Sequence, residues 1–536
     1  MKRRDNFTVV ILIIALLMGF IITGCRGKLP APAGLIATPQ AASNSIQISW
    51  NAVSGAVSYN VYRSSSETGI YSNIGTTPGT AYNDTDRAIS TPYYYKVSAA
   101  AGANAEGELS DYVSAIIPAQ TKSIMSFRFA DFSVNGTING TNIRVTVPNI
   151  VNLTMLVPTI EHDGKSISPA SGAAQNFSSP IQYTVTAEDS TTQNYTVTVN
   201  VTNTGLAAAF NWINKYTGNT RIFTIAAESS ASVSPITIDP SYSNARIILS
   251  GGATEKTISL NTNGSLFTIR DGTLTLDNNI TLEGRSSNNA SLITLDYYGD
   301  SPNLVMNDGS GIINNTVTKN DSNETDGGGV YVGKGTFTMN GGTISGNRVG
   351  ATSSSSSYST SLLATGGGVY VNTGIFIMNG GTITNNTVYS AKFPVAGGGV
   401  CINGGTFTLA GGTISGNTAQ SSSFLAVSYS CGGGVAVMAN GTFTMQGGTI
   451  SGNTVSSADL RLGGGVYVST DSFTKTGGTI YGSNASPTSL QNTAKDTSSG
   501  HAVYAVIGST IMRRNATAGT AVNLDSSRVG SAGGWE

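Results

Sequence analysis

Charge is scarce in this sequence: 11% of its 536 residues are Asp, Glu, Lys or Arg, and the formal net charge is −1. That balance excludes the basic footprint of a nucleic-acid-binding protein and the acidic run of a solvated tail. Histidine occurs twice and cysteine three times, and no cofactor or metal is expected. His162 stands between Glu161 and Asp163, but neighbours on an extended chain point to opposite sides and cannot share one ion. That triplet is read as a solvated turn, and His501 as a structural or surface residue rather than a catalytic one. One long apolar run exists, Phe7 to Ile22, and it falls short of the ~20 residues a membrane-crossing helix needs.

What is abundant is glycine, 66 residues, and it is ordered. Gly327 to Asn347 reads GGGVYVGKGTFTMNGGTISGN, with near-copies from Gly366, Gly397, Gly432 and Gly463 and a degenerate one from Gly500. Aligned on the glycines, Val330, Val369, Val400, Val435 and Val466 fall in one column. Phe337, Phe376, Phe407, Phe443 and Phe473 fall in another, and Ile344, Ile383, Ile414, Ile450 and Ile480 in a third. Such self-similarity marks a solenoid, whose units bury their apolar faces only against neighbours. Within a unit the apolar period is two, which predicts three short strands separated by glycine corners. Coils stacked at about 4.8 Å would place like residues on like. A further column, Asn315, Asn347, Asn386, Asn417 and Asn453, is read as a structural amide ladder rather than a ligand site.

The triple glycine followed by Ile-Ser-Gly-Asn resembles the repeats of polymorphic outer-membrane proteins and related surface lipoproteins, over roughly the last 300 residues. The third glycine replaces that family's Ala, and Ile344 stands where it has Phe. The expected fold is therefore all-β: a right-handed parallel β-helix, a pectate-lyase-like solenoid, preceded by two β-sandwich domains.

The sandwiches are read from alternating strands. Ile46-Gln47-Ile48-Ser49-Trp50, Tyr59 to Arg63 and Tyr93 to Val97 resemble a fibronectin type III module, with Trp50 in its core rather than offered to a sugar. Ile143 to Pro148, Tyr183 to Ala187 and Tyr195 to Val199 resemble a cadherin-like or Ig-like sandwich. Lys2, Arg3 and Arg4, the apolar run and Ile22-Thr23-Gly24-Cys25 resemble a bacterial lipoprotein signal. That resemblance implies cleavage before Cys25, acylation of its thiol and attachment to a membrane; Arg26 after it permits export to the outer surface. The expected domains are 1–24 signal peptide, 25–118 fibronectin type III-like sandwich, 121–202 cadherin-like or Ig-like sandwich, and 206–536 β-helix. Leu206 to Tyr216, with Leu206, Phe210 and Ile213 on one face, is expected to be a helix covering the first coil.

Between Gly327 and Asn484 the carboxylates are Asp459 and Asp471 alone, a poor basis for acid–base chemistry. Asp271, Asp277, Glu283, Asp296, Asp300 and Asp308 mostly neighbour Gly or Asn and are read as turn residues. An enzyme is accordingly not expected. The connectors between each Asn and the next glycine triplet vary in length and leave one corner, where repeat proteins bind. Leu362, Leu363, Phe393, Phe424, Leu425 and Tyr429 are the candidate interaction residues. Cys401 and Cys431 should be free thiols, their five-residue offset amounting to about 16 Å along a strand. The function expected is that of a monomeric, lipid-anchored bacterial surface protein, on the outer membrane, whose β-helix binds a glycan or protein on another cell or matrix. A polysaccharide-degrading enzyme and a non-binding stalk are the alternatives.

Overall fold

The computed structural model describes residues 28–525, apart from 103–104, 203–204, 217–221, 242–243, 301, 320–326, 352–363, 392, 423–428, 458–459, 470–471 and 495–498. The protein is predominantly β and divides into two compact units. Cys25 lies outside the described residues, and no described helix is long and apolar enough to cross a membrane.

The first unit takes most of residues 28–199. Its leading module sets a three-stranded sheet against a five-stranded one, with Ile46, Ile48, Trp50, Tyr59, Val61, Tyr95 and Val97 forming the core between them. Trp50 is buried, its ring 5.3 Å from that of Tyr59. Asp84, also buried, accepts both Arg63 Nη1 contacts at 2.9 Å and the Tyr95 hydroxyl at 2.8 Å. A second pair of antiparallel sheets follows, around Phe127, Phe129, Phe177 and Tyr183. His162 ends the strand Thr159–His162 rather than occupying a turn, and among the described residues no cluster of His, Cys, Asp or Glu could hold a metal.

The second unit contains three long sheets of 10, 9 and 10 strands, parallel except for the last strand of each 10-stranded sheet. The chain visits them in rotation: Val330–Val332, then Thr336–Met339, then Thr343–Ser345, then the next coil. Register runs residue on equivalent residue, Val330 beside Val369 beside Val400 and Phe337 beside Phe376 beside Phe407. Each inward column is fully buried. The glycine triplet divides its work. Its first member has a left-handed backbone at Gly366, φ 62°, and Gly397, φ 71°, while a Cβ on Gly328 would stand 2.1 Å from the Gly367 carbonyl oxygen of the next coil.

Two features depart from the sequence reading. The connectors are not loops throughout: their ends form two more parallel sheets, through Arg348–Ala351, Thr387–Ser390 and Thr418–Ser421, and through Val395–Ala396 and Tyr429–Cys431. Val317, Val349, Val388, Ala419 and Val395 build a separate apolar cluster there. Cys401 and Cys431 are free thiols, but the offset does not part them. Cys431 pairs beside Ala396, before the glycine corner, and Cys401 follows the corner, so the bend brings both into one cluster with Tyr370 and Tyr467. Burial raises both thiol pKa values far above the usual range, which leaves them protonated and inert.

The stack is closed at both ends. Helix α1 (Gly205–Lys215) buries Ala209, Phe210 and Ile213, with Phe210 5.1 Å from Phe267 of the second coil. At the far end Leu524–Asp525 pairs antiparallel with Thr474 and Lys475. Lys475 continues the column of Met339, Met378, Leu409 and Met445. Fully buried, it donates from Nζ to the Gly519 and Val522 carbonyls at 2.6 and 2.8 Å. Burial first, then the Arg514 charge, lowers its pKa from 10.5 to about 8. Below that value both folded and unfolded chains carry the charge and its burial opposes folding in full. From about 8 to 10.5 the unfolded chain holds the extra proton, so stability rises with pH. The melting temperature should therefore climb between pH 8 and 9.5 in the protein and stay flatter in Lys475→Met, measured by circular dichroism; parallel profiles would count against it.

Candidate functional site

Each strand of the third sheet ends one residue before the chain turns, and in the first three coils that next residue is charged. Ile238, Ile269 and Leu295 are in register, so Asp239, Arg270 and Asp296 stack as an acid–base–acid column. The Arg270 amide donates to the Ile238 carbonyl at 2.8 Å and the Asp296 amide to that of Ile269 at 2.9 Å, which fixes the side chains at strand spacing. Arg270 Nε donates to Asp296 Oδ2 at 3.1 Å, and Nη1 lies 4.0 Å from Asp239 Oδ2. The Arg270 side chain remains 53% exposed. Exposed ion pairs contribute roughly 0–1 kcal/mol, too little for this column to be needed by the fold.

A tight turn completes the site. Asp296 Oδ1 accepts the Tyr298 amide at 3.1 Å and its carbonyl accepts that of Gly299 at 3.1 Å. Glycine is required at 299, since a Cβ there would come 2.2 Å from the Arg270 carbonyl oxygen. Lys334 Nζ donates to the Gly299 carbonyl at 2.9 Å. The turn holds out Tyr297 and Tyr298, 48% and 90% exposed. Asp239, Arg270, Asp296, Tyr298 and Asp300 line a cleft of ≈ 440 Å³. Beside it the buried Asp271 accepts the Gly272 amide at 2.7 Å. Burial raises its pKa, the Gly272 hydrogen bond opposes that, and the charges of Asp300 and Asp239 add to the rise.

This arrangement can accept and donate several hydrogen bonds at once beside an exposed aromatic face, the chemistry that recognises a sugar. It also sets Asp271, a carboxyl of raised pKa, near Asp239 and Asp300, the kind of pairing that acid–base chemistry uses. The sequence reading took Asp271, Asp296 and Asp300 as turn residues, which they are locally; stacking makes them neighbours of Asp239 and Arg270.

The other candidates are placed differently. Leu362, Leu363, Phe424 and Leu425 lie outside the described residues, as do Asp459 and Asp471. Phe393 is not held out for a partner: at 7% exposure it packs with Val388 and Val395 because its connector folds back as strand. Tyr429 is half-buried against the cysteine–tyrosine cluster. Asn315, Asn347, Asn386, Asn417 and Asn453 are fully buried and hydrogen-bonded coil to coil. The column is longer than the five residues read from sequence. Asn288 Nδ2 donates to Asn315 Oδ1 at 3.0 Å, and Asn453 Nδ2 to Asn492 Oδ1 at 2.9 Å. Asn492 carried a legible signal, the Asn-Thr dipeptide shared with Asn386, Asn417 and Asn453.

By its fold this is a β protein of sandwich modules and stacked parallel coils. The family model described as "SGBP, N-terminal", for surface glycan-binding proteins, matches residues 124–199. The chain is 44% identical over 82 residues to a poly(3-hydroxybutyrate) depolymerase of Delftia acidovorans, covering 15% of this chain and 16% of that enzyme. It is 35% identical over 80 residues to an amylopullulanase of Thermoanaerobacterium saccharolyticum, covering 15% of this chain and 6% of the enzyme. An Fn3-like protein from Clostridium thermocellum is 39% identical, covering 16% of this chain and 92% of that one, with a TM-score of 0.15. The chain thus spans only a small part of its curated relatives. The expectation that it is not an enzyme is corrected here. The matched proteins include a depolymerase and an amylopullulanase, and two of the carboxylates dismissed from the sequence, Asp296 and Asp300, line one cleft.

Proposed function

We propose that this chain is a cell-surface glycan-binding protein, anchored through a lipid on Cys25, with two sandwich domains carrying a right-handed parallel β-helix whose first coils bind the glycan. The observation that carries the reading is the Asp239–Arg270–Asp296 column beside the exposed Tyr297 and Tyr298. Carboxylates and a guanidinium offer paired hydrogen bonds to vicinal hydroxyls, and a tyrosine ring offers its face to the apolar side of a pyranose. The surface glycan-binding family match at residues 124–199 supports the same class of ligand. The lipid anchor rests on the Cys25 signal, and adhesion to another cell or matrix is the role such a surface would serve.

A carbohydrate-active enzyme is the second reading. It is favoured by the name of one relative, an amylopullulanase, and by Asp271, a buried carboxyl with a raised pKa near Asp239 and Asp300. In that role Asp271 would hold a proton for a leaving oxygen and an ionised neighbour would accept one from water.

Affinity electrophoresis of the full chain against a panel of soluble polysaccharides tests the first reading. Arg270→Ala and Asp296→Asn should each weaken binding at least about tenfold, the loss of one or two charge-assisted hydrogen bonds, with circular dichroism unchanged. Retention of full binding by both variants would remove the cleft from the function. Release of new reducing ends by the unaltered chain, abolished in Asp271→Asn while binding persists, would establish the enzyme instead.

A further inference from the structure

The leading sandwich module has a second face that its core does not use. In the five-stranded sheet Tyr59, Val61, Tyr95 and Val97 point inward, so by alternation Tyr62, Tyr94 and Lys96 point out. Tyr62 stands directly opposite Lys96 on one neighbouring strand and opposite Asn73 on the other. Tyr94 stands opposite Ser114, and Tyr112 enters the same strand as Ser114 on the same side. Its ring centroid is 5.7 Å from that of Tyr94. The Lys96 ammonium sits 5.0 Å above the ring of Tyr71.

Tyr62 and Tyr94 from adjacent strands, with Tyr71 and Tyr112 just before the strands that flank them, therefore lie around one lysine on one sheet face. Across three strand intervals they reach about 14 Å, the span of a short oligosaccharide rather than a single sugar. The rim is polar and acidic. Tyr71 donates its hydroxyl to the Glu67 carbonyl at 3.1 Å, Tyr112 hydrogen-bonds the Glu67 side chain, and Glu106 accepts from the Tyr62 and Ser98 hydroxyls. Hydrogen bonding to Glu67 raises the Tyr112 pKa, burial raises those of Tyr71 and Tyr62, and the Ser98 and Tyr62 bonds lower that of Glu106. The phenols thus stay donors and Glu106 an acceptor across the neutral range.

We infer that this tyrosine face is a second glycan-binding site, which takes an extended, uncharged polysaccharide chain of the β-1,4-linked type along the sheet. Rings spread across neighbouring strands suit a ribbon-like chain whose sugar rings present apolar faces in succession, and do not follow a coiled α-linked one. Glu67 and Glu106 at the rim disfavour an acidic polysaccharide, because Lys28 is already turned to Glu106 and Lys96 to the Tyr71 ring. The inference rests on the glycan-binding reading above but uses none of the same residues, so the two can fail separately.

The full chain is run in native gels containing hydroxyethylcellulose, with polygalacturonate and soluble starch as comparators. Tyr94→Ala/Tyr112→Ala should lose at least about tenfold in affinity for hydroxyethylcellulose, each ring contributing on the order of a kcal/mol beyond its buried area. Tyr94→Phe/Tyr112→Phe keeps both rings and should bind within about threefold of the unaltered chain. On an Arg270→Ala background, with the cleft weakened, the Tyr94→Ala/Tyr112→Ala pair should still lower hydroxyethylcellulose affinity by the same factor. Unchanged retardation of the double Ala variant would overturn the inference, as would stronger retardation by polygalacturonate or starch. Loss of all binding in Arg270→Ala alone would likewise overturn it while sustaining the cleft. Because the Phe pair preserves packing, a misfolded Ala pair would still leave the ring requirement testable through Tyr71→Ala on the same face.

Discussion

Asn417→Ala is expected to lower the stability of the coil stack by about 3–5 kcal/mol, because one amide serves four partners and all are buried. Its Oδ1 accepts the Asn386 backbone amide at 3.0 Å and Asn386 Nδ2 at 3.0 Å. Its Nδ2 donates to the Ile383 carbonyl at 2.9 Å and to Asn453 Oδ1 at 2.9 Å. Removal leaves the Asn386 backbone amide and the Ile383 carbonyl without these bonds, and strips one of two bonds each from Asn386 Nδ2, which keeps the Ile344 carbonyl, and Asn453 Oδ1, which keeps the Asn417 backbone amide. Each such group costs roughly 1–3 kcal/mol, and partial relaxation of the corner reduces the sum. Asn417→Asp should be no better, since a carboxylate cannot donate and would be buried as a charge. Chemical denaturation measures the loss, and hydrogen exchange at the Asn386 amide should accelerate with it. A loss under about 1 kcal/mol would mean that the column satisfies nothing the corner needs.

Phe407→Ala should cost a similar amount, about 3–5 kcal/mol, through a different term. The Phe407 ring lies between Phe376 at 4.6 Å and Phe443 at 5.0 Å, tilted by only 7° and 8°. Near-parallel stacking is not what ring quadrupoles choose for themselves; the strand spacing of about 4.8 Å imposes it. The column therefore contributes through burial and dispersion, and an alanine leaves a cavity between two rings that the parallel ladder holds apart. Phe407→Leu, which fills most of the space, should cost less than about half as much. In a solenoid the damage stays local, so exchange should quicken in the coils of Phe376 and Phe443 before those near Phe267. Equal destabilisation by Leu and Ala would refute the cavity account.

What could be read from the sequence was whatever repeats. Val, Phe, Ile and Asn recur on one frame, and the partners found in the structure, such as Ile344 beside Ile383 beside Ile414, are those of that frame. Alternation in the leading module likewise announced that Trp50 and Tyr59 face inward. Elements that depend on where a corner turns were not legible. Connectors looked like loops because their strands are short and unequal, yet Val349, Val388 and Ala419 stack as strictly as the core does. The two thiols looked distant because an offset was counted along one straight strand, where the glycine triplet bends the chain instead.

The candidate sites belong to that second kind. Asp239, Arg270 and Asp296 come from coils too irregular to align by eye, and each alone is an ordinary turn residue; only parallel register brings them together. Tyr62, Tyr71, Tyr94 and Tyr112 share a face through strand order, which no local pattern discloses. By itself the sequence determined that the chain is β-rich, repetitive and apolar along fixed columns, since periodicity and glycine chemistry act over a few residues. The tertiary structure alone decided which charged and aromatic side chains meet, since that depends on hydrogen-bonded pairing between segments far apart in the chain.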